Sequence, residues 1–96
     1  MSRVAVVVPI RADAIVTAKL LIEDGPPFAL DDTPLEAHAV YLSDVEAVFV
    51  FEGPEAREVV EQLVGEAGVW EAATAWRSVV DGKPRVAEPA FTWRRS

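Results

Sequence analysis

The chain has 96 residues, of which 51% are hydrophobic, and it contains no cysteine. This length predicts one domain over residues 1–96, and the lack of cysteine excludes disulfides, thiol chemistry and a cysteine-based metal site. A formal net charge of −7 argues against nucleic-acid binding, which needs basic groups to neutralise phosphates. The longest apolar run is too short to span a membrane, and no signal-peptide pattern is present, so we expect a cytoplasmic protein.

The charge is distributed unevenly along the chain. Residues 1–76 contain fourteen acidic and four basic side chains, whereas residues 77–96 contain two acidic and five basic ones. Two interpretations of this basic C-terminal segment are open. It is either an anion site, or a solvent-exposed edge and tail that balance the acidic part of the chain, as surface charges usually do.

The first predicted elements are a strand, a helix and a long loop. The strand covers about residues 3–9, where apolar residues follow one another without polar alternation. The helix covers about residues 13–24, with Asp13 as its N-cap and Gly25-Pro26 as its stop signal. The proline-rich loop over residues 26–35 is either a functional flap or a plain crossover.

A β-hairpin follows, with strands over about residues 36–42 and 46–52 and a turn at Ser43-Asp44-Val45. Because side chains alternate along a strand, this register sorts the hairpin residues into two faces. The face that we expect beneath the helices carries His38, Val40, Leu42, Phe49 and Phe51, and the opposite face carries Ala37, Ala39, Tyr41, Val48 and Val50.

The second half of the chain predicts a helix, a further helical piece and a last strand. The helix starts at Pro54, which suits the first helical position, and ends near Gly65. Apolar residues at helical spacing predict a further helical piece over Val69–Val80. The last strand runs from about Val86 to Arg94, and Pro89 makes it an edge strand or a bulged one.

Two segments that are apolar on both faces predict the fold and the assembly. Residues 3–10 and 47–51 need cover on both sides, as central strands of a sheet do. Two β-α-β halves around a hairpin specify a ferredoxin-like βαββαβ fold, with a four-stranded antiparallel sheet in which strands 1 and 3 are central. Since two helices cover only one face, we expect a homodimer that packs sheet to sheet, with a seam formed by Val4, Val6, Val8, Val48 and Val50.

The block from His38 to Pro54 resembles the dimeric α+β barrel superfamily, as do Trp70, Ala75-Trp76-Arg77, Pro84-Arg85 and Phe91-Thr92-Trp93. More narrowly, the chain is similar to an uncharacterised small bacterial family within it. The resemblance implies a homodimeric α+β barrel. The superfamily includes cofactor-free monooxygenases, haem-degrading enzymes, isomerases, peroxidases and regulatory ligand-binding domains, so the fold does not select a reaction.

Few residues are suited to catalysis. His38 is the only histidine, and it lies on a predicted strand, so it does not match the helix-borne histidine that binds iron in the haem-degrading relatives. No metal-ligand spacing is present, and we expect neither metal nor cofactor. His38 is either a satisfied strand histidine or a weak catalytic candidate, acting as a base or proton relay.

The aromatic residues near the C-terminus predict either packing or a ligand pocket. Trp70, Trp76 and Trp93 pack in the core and seam, or they line a pocket between helices and sheet in which Arg77 receives an anionic group. The candidate ligand-binding residues are therefore His38, Tyr41, Trp70, Trp76 and Arg77. We expect a small homodimeric domain that binds a small apolar or aromatic ligand there. The alternative is a cofactor-independent monooxygenase or isomerase that acts on a small aromatic or polyketide-like substrate.

Overall fold

The computed structural model describes residues 2–25, 29–65 and 73–95. Four strands form one antiparallel sheet in the order β2-β3-β1-β4, which confirms the ferredoxin-like arrangement with β1 and β3 in the centre. The strands are β1 (Ser2–Pro9), β2 (Ala37–Leu42), β3 (Glu46–Gly53) and β4 (Arg85–Ala87). The helices are α1 (Ile15–Glu23) and α2 (Ala56–Gly65), with 3₁₀ turns at Ala12–Ala14, Leu30–Asp32 and Ala73–Trp76. Within the described residues, no helix has the length and apolar character needed to cross a bilayer.

The hairpin has the predicted register. The Ser43 N–H donates to the Glu46 carbonyl over 2.8 Å, and the Ser43 hydroxyl accepts from the Glu46 N–H over 3.1 Å. This turn pairs His38 with Phe51 and Tyr41 with Val48. The two faces therefore carry the side chains that the alternation predicts.

The seam prediction is wrong for the three β1 valines that it names, Val4, Val6 and Val8. Val4 pairs with Phe51 and Val8 with Ala47, so the even-numbered valines lie on the helix-covered face, where Val4 and Val8 are buried. The opposite face, which we call the open face, carries Ala5 and Val7 instead. The cause is the strict alternation of strand side chains, which fixes the faces of β1 once its pairing with β3 is set.

Small residues bring the helices close to the sheet. Ala14 and Ala18 pack with Val8, Ala47 and Val79 in one buried cluster. A second buried cluster is formed by Ala56, Val60, Val4 and Phe51. Burying a side chain such as Val60 contributes roughly 1.5–3 kcal/mol relative to leaving it exposed, so these two clusters hold the helices on one face.

Both helices begin later than the sequence predicts. Helix α1 has Ala14 at its N-cap and no side-chain cap, while the Asp13 carboxylate accepts from Arg11 over 3.2 Å. Helix α2 begins at Ala56 rather than Pro54, because Glu55 adopts a left-handed conformation with φ 57°. The Ser2 hydroxyl accepts from the Ala56 N–H over 2.8 Å and so satisfies one amide at this helix start.

The C-terminal third differs most from the prediction. The proposed helical piece over Val69–Val80 begins outside the described residues, and its described part is the single 3₁₀ turn, after which Val80 bridges Ile10. Strand β4 has three residues instead of nine. Because Pro89 has no N–H to donate, it does not continue the ladder, and Phe91 beyond it is 86% exposed.

One arginine ties the segment after β4 to helix α2. Arg57 is hydrogen-bonded to Glu88 and also donates to Glu61 over 3.0 Å. The hydrogen bond to Glu88, followed by that to Glu61, raises the pKa of Arg57 above its ordinary value. The segment that follows β4 is therefore linked to α2 through the Arg57–Glu88 pair.

Candidate functional site

A shallow groove of about 350 Å³ lies on the open face, along the β2 edge of the sheet. The residues that line it come from three strands and comprise three small apolar side chains, one ion pair, a histidine and a tyrosine. They are Arg3 of β1, Ala37, His38, Ala39 and Tyr41 of β2, and Val50 and Glu52 of β3.

The two alanines of β2 explain the depression. Ala39 pairs with Val50 and Ala37 pairs with Glu52, so short side chains stand at the middle of this edge. Tyr41, which is 64% exposed, bounds one end of the groove. An apolar floor thus lies between a phenol at one end and charged groups at the other.

Arg3 and Glu52 form the charged end of the groove. They face each other across β1 and β3, and Arg3 Nε donates to Glu52 Oε1 over 2.7 Å. A second guanidinium nitrogen of Arg3 bonds to the same oxygen. Arg94 Nη2 lies 3.8 Å from this oxygen as well, so one carboxylate stands between two guanidinium groups.

His38 is half-buried and makes two contacts. Its ring stacks on Phe51, with centroids 4.4 Å apart, and its Nδ1 lies 3.0 Å from the Val50 carbonyl oxygen. Since a carbonyl can only accept, this hydrogen bond assigns the proton to Nδ1 and leaves the lone pair of a neutral ring on Nε2. The register places the ring on the helix-covered face, so His38 borders the groove where β2 forms the sheet edge.

The other predicted site residues are spread over the fold. Trp76 lies on the helix-covered side, where its ring meets Phe49 edge-on at 5.6 Å, and Arg77 is exposed in the turn that follows. Trp70 lies outside the described residues. Of the predicted set, the groove brings together His38 and Tyr41.

Arg3, Glu52 and the two alanines are not among the residues that the sequence predicts for a site. A usable signal was present, because Arg3 and Glu52 are the charged residues at the ends of two strands that are otherwise apolar on both faces. Their pairing becomes visible only when the register of β1 against β3 is known. Among residues 2–25, 29–65 and 73–95, no three His, Asp or Glu side chains are grouped as a metal site would require.

Several solved structures are similar in shape to this chain. A crystal structure of an antibiotic biosynthesis monooxygenase matches with a TM-score of 0.71 and 14% identity, over 96% of this chain and 99% of that chain. A proposed antibiotic biosynthesis monooxygenase from Chloroflexus aurantiacus J-10-fl matches with a TM-score of 0.52 and 12% identity, over 97% and 98%. SnoaB, a cofactor-independent oxygenase from Streptomyces nogalater, matches with a TM-score of 0.48 and 13% identity, over 100% of this chain and 97% of that chain.

No family model and no curated protein matches the chain. At such low identities the likeness to the solved structures concerns the fold and carries no residue roles. The sheet order, the two helices on one face and the match along nearly the whole length agree with one another. The chain therefore has a ferredoxin-like α+β fold.

Proposed function

We propose that this protein is a homodimer, joined sheet to sheet, that binds a small apolar or aromatic molecule without established catalysis. The observation that carries the proposal is the open face, which is apolar, lacks cover within the described chain and contains the groove. Ala5, Val7, Val48 and Val50 on this face are only partly buried. An apolar sheet face of this kind is usually covered by a second layer.

A second copy is a suitable cover. Side chains of the size of alanine and valine fit between two sheets about 10 Å apart. A stable interface of this type buries of order 1,600 Å² in total. The groove lies on this same face, so the sheet of the second copy would cover it.

The groove supports a ligand position between the two sheets, rather than between helices and sheet as the sequence predicts. Its 350 Å³ falls within the roughly 300–1,000 Å³ that is typical of small-molecule sites. On the helix-covered face, by contrast, buried alanines such as Ala18 and Ala47 let the described parts of the helices pack directly on the strands. A small aromatic molecule could lie on Ala39 and Val50 with its polar group toward Tyr41 or Arg3.

A second candidate is a cofactor-independent monooxygenase or isomerase, in which the His38 ring would act as the base. With Nδ1 bonded to the Val50 carbonyl, Nε2 can accept a proton from an acidic phenol or C–H group. Oxygen uptake with dihydroxynaphthalenes tests this candidate. We expect turnover that is lost in His38→Gln if it is correct, and uptake no faster than in buffer contradicts it.

The binding proposal is tested by sedimentation velocity and by a fluorescent neutral probe, phenylnaphthylamine. We expect a dimer at micromolar concentration and saturable probe binding. Ala39→Leu, which fills the groove, should abolish probe binding, whereas Val45→Leu at the exposed hairpin turn should not. A stable monomer, or equal probe binding in both variants, contradicts the proposal.

A further inference from the structure

We infer that the groove selects aromatic molecules that carry an anionic group, such as aromatic carboxylates, sulfonates and phenolates, and that Arg3 together with Arg94 binds this group. The inference deepens the proposed function and rests on it. It is drawn from the cluster of Arg3, Glu52 and Arg94 at one end of the groove, which contains two positive charges and one negative charge.

The hydrogen bonds of Arg3 leave room for a ligand. A guanidinium has five N–H donors, and Glu52 takes one on Nε and one on Nη2. Three N–H groups are therefore not used by Glu52, and the Arg3 side chain is 39% exposed. Because Glu52 holds the guanidinium at the groove end, Arg3 is oriented before a ligand arrives.

Arg94 decides the sign of the charge at this end. The charges of Arg3 and Glu52 alone would cancel. The guanidinium of Arg94, 3.8 Å from Glu52 Oε1, adds a second positive charge, so the three side chains together carry one net positive charge. Its side chain is 68% exposed, so it can turn toward a ligand. This contact also gives the basic C-terminal segment a role as an anion site, one of the two interpretations that its composition allows.

The overall charge of −7 does not oppose this local preference. At physiological ionic strength, charges separated by more than about 8 Å through solvent are largely screened. An anionic group that reaches Arg3 by hydrogen bonding lies well within that distance. The charges of Arg3 and Arg94 are therefore the ones that act on this group at contact distance.

Two probes of similar shape separate the charge effect from the apolar one. Anilinonaphthalene sulfonate carries a sulfonate, and phenylnaphthylamine has the same aromatic body without a charge. Both are titrated into the full-length protein and followed by fluorescence. Circular dichroism and sedimentation are recorded for each variant, so that a loss of fold or of dimer is seen directly.

The variants are expected to shift the two probes differently. Arg3→Gln should weaken sulfonate binding roughly tenfold, because a charged hydrogen-bond partner is lost. Glu52→Gln should tighten sulfonate binding, since it removes the competing carboxylate. Neither change should affect the neutral probe, and Arg11→Gln, whose arginine pairs with Asp13 instead, should change neither probe.

The opposite signs make the test decisive. Arg3→Gln and Glu52→Gln break the same ion pair, so a purely structural role predicts the same direction for both. If the two variants change the affinity for the sulfonate probe in the same direction, or do not change it, the inferred preference for anions is wrong. Binding of the neutral probe would still support the proposed function in that case. If neither probe binds the wild-type protein, both the inference and the proposed function are wrong. Should either variant unfold, the exposed Arg94→Glu replaces it and must weaken sulfonate binding.

Discussion

The imidazole of His38 lies against the ring of Phe51, with ring centroids 4.4 Å apart and an angle of 22° between the planes. The two residues are direct partners across β2 and β3, so the stack stands on the helix-covered face. The same imidazole donates to the carbonyl of Val50, a residue that lines the groove on the other face. One side chain thus contacts the core and the strand beneath the groove.

The two contacts of His38 can be separated by substitution. His38→Phe keeps an aromatic ring for stacking but loses the hydrogen bond, and we expect a loss of about 1 kcal/mol in the free energy of unfolding. His38→Leu loses both contacts and should cost about 1–2 kcal/mol. Urea unfolding followed by circular dichroism measures both. Tyr41→Phe is the control, and a His38→Phe protein as stable as the wild type would contradict the role of the hydrogen bond.

The assembly can be tested by a charge on the open face. Val48→Asp or Val50→Asp should dissociate the dimer, since an unpaired carboxylate buried between two sheets costs several kcal/mol. Sedimentation velocity measures the change in mass. Val16→Asp, at a position on α1 that is 75% exposed, should stay dimeric. If both open-face variants remain stable dimers, the contact between copies lies elsewhere.

The start of α2 depends on the Ser2 hydroxyl, which accepts from the Ala56 N–H and donates to the Gly53 carbonyl. We expect Ser2→Ala to lower the free energy of unfolding by about 1 kcal/mol, as the loss of a helix N-cap does. Thermal and urea unfolding provide the measurement. Ser78→Ala, in an exposed turn, serves as the matched control, and equal effects of the two changes would argue against a capping role.

The close approach of sheet and helices predicts intolerance to larger side chains. Ala47 is fully buried beside Val8 and Ala18. Ala47→Leu should cost about 1–3 kcal/mol through overpacking. Ala12→Leu, at an exposed position before α1, should leave the free energy of unfolding nearly unchanged. Unfolding curves that coincide for the two variants would mean that space exists beneath α1.

The protein as purified should contain no stoichiometric transition metal. The chain has no cysteine and one histidine, and that histidine is engaged with a backbone carbonyl. Borderline-soft metals such as zinc need several nitrogen or sulfur ligands in one place. Elemental analysis of protein prepared without chelator measures this, and near one metal ion per chain would refute the prediction.

The sequence predicts the hairpin well and the first strand poorly, for a physical reason. In the hairpin, the turn at Ser43 and the alternation of large and small residues are local, so the faces of Phe49 and Val48 follow directly. In β1 every residue from Val4 to Val8 is apolar, and alternation carries no information. Only the distant pairing with β3 decides which valines face the helices.

The groove could not be predicted from the sequence, for the same reason. It depends on Ala37, Ala39 and the Arg3–Glu52 pair, which a register between distant strands brings together. The last strand shows the opposite failure: the apolar positions around Phe91 and Trp93 suggested pairing, but Pro89 breaks the ladder. A local pattern can indicate a strand, but the strand forms only where a neighbouring strand pairs with its backbone.

The position of β1 has a consequence for biosynthesis. It precedes β3 and β4 in the sequence, yet it stands between them in the sheet, and Ala5 pairs with Ala87. Such pairings join residues that are far apart in the sequence, and long-range contacts slow folding. During synthesis β1 is therefore made well before either of its neighbours in the sheet. Until β3 and β4 follow, its apolar side chains have no strand to pair with, and exposed apolar strands of this kind favour aggregation.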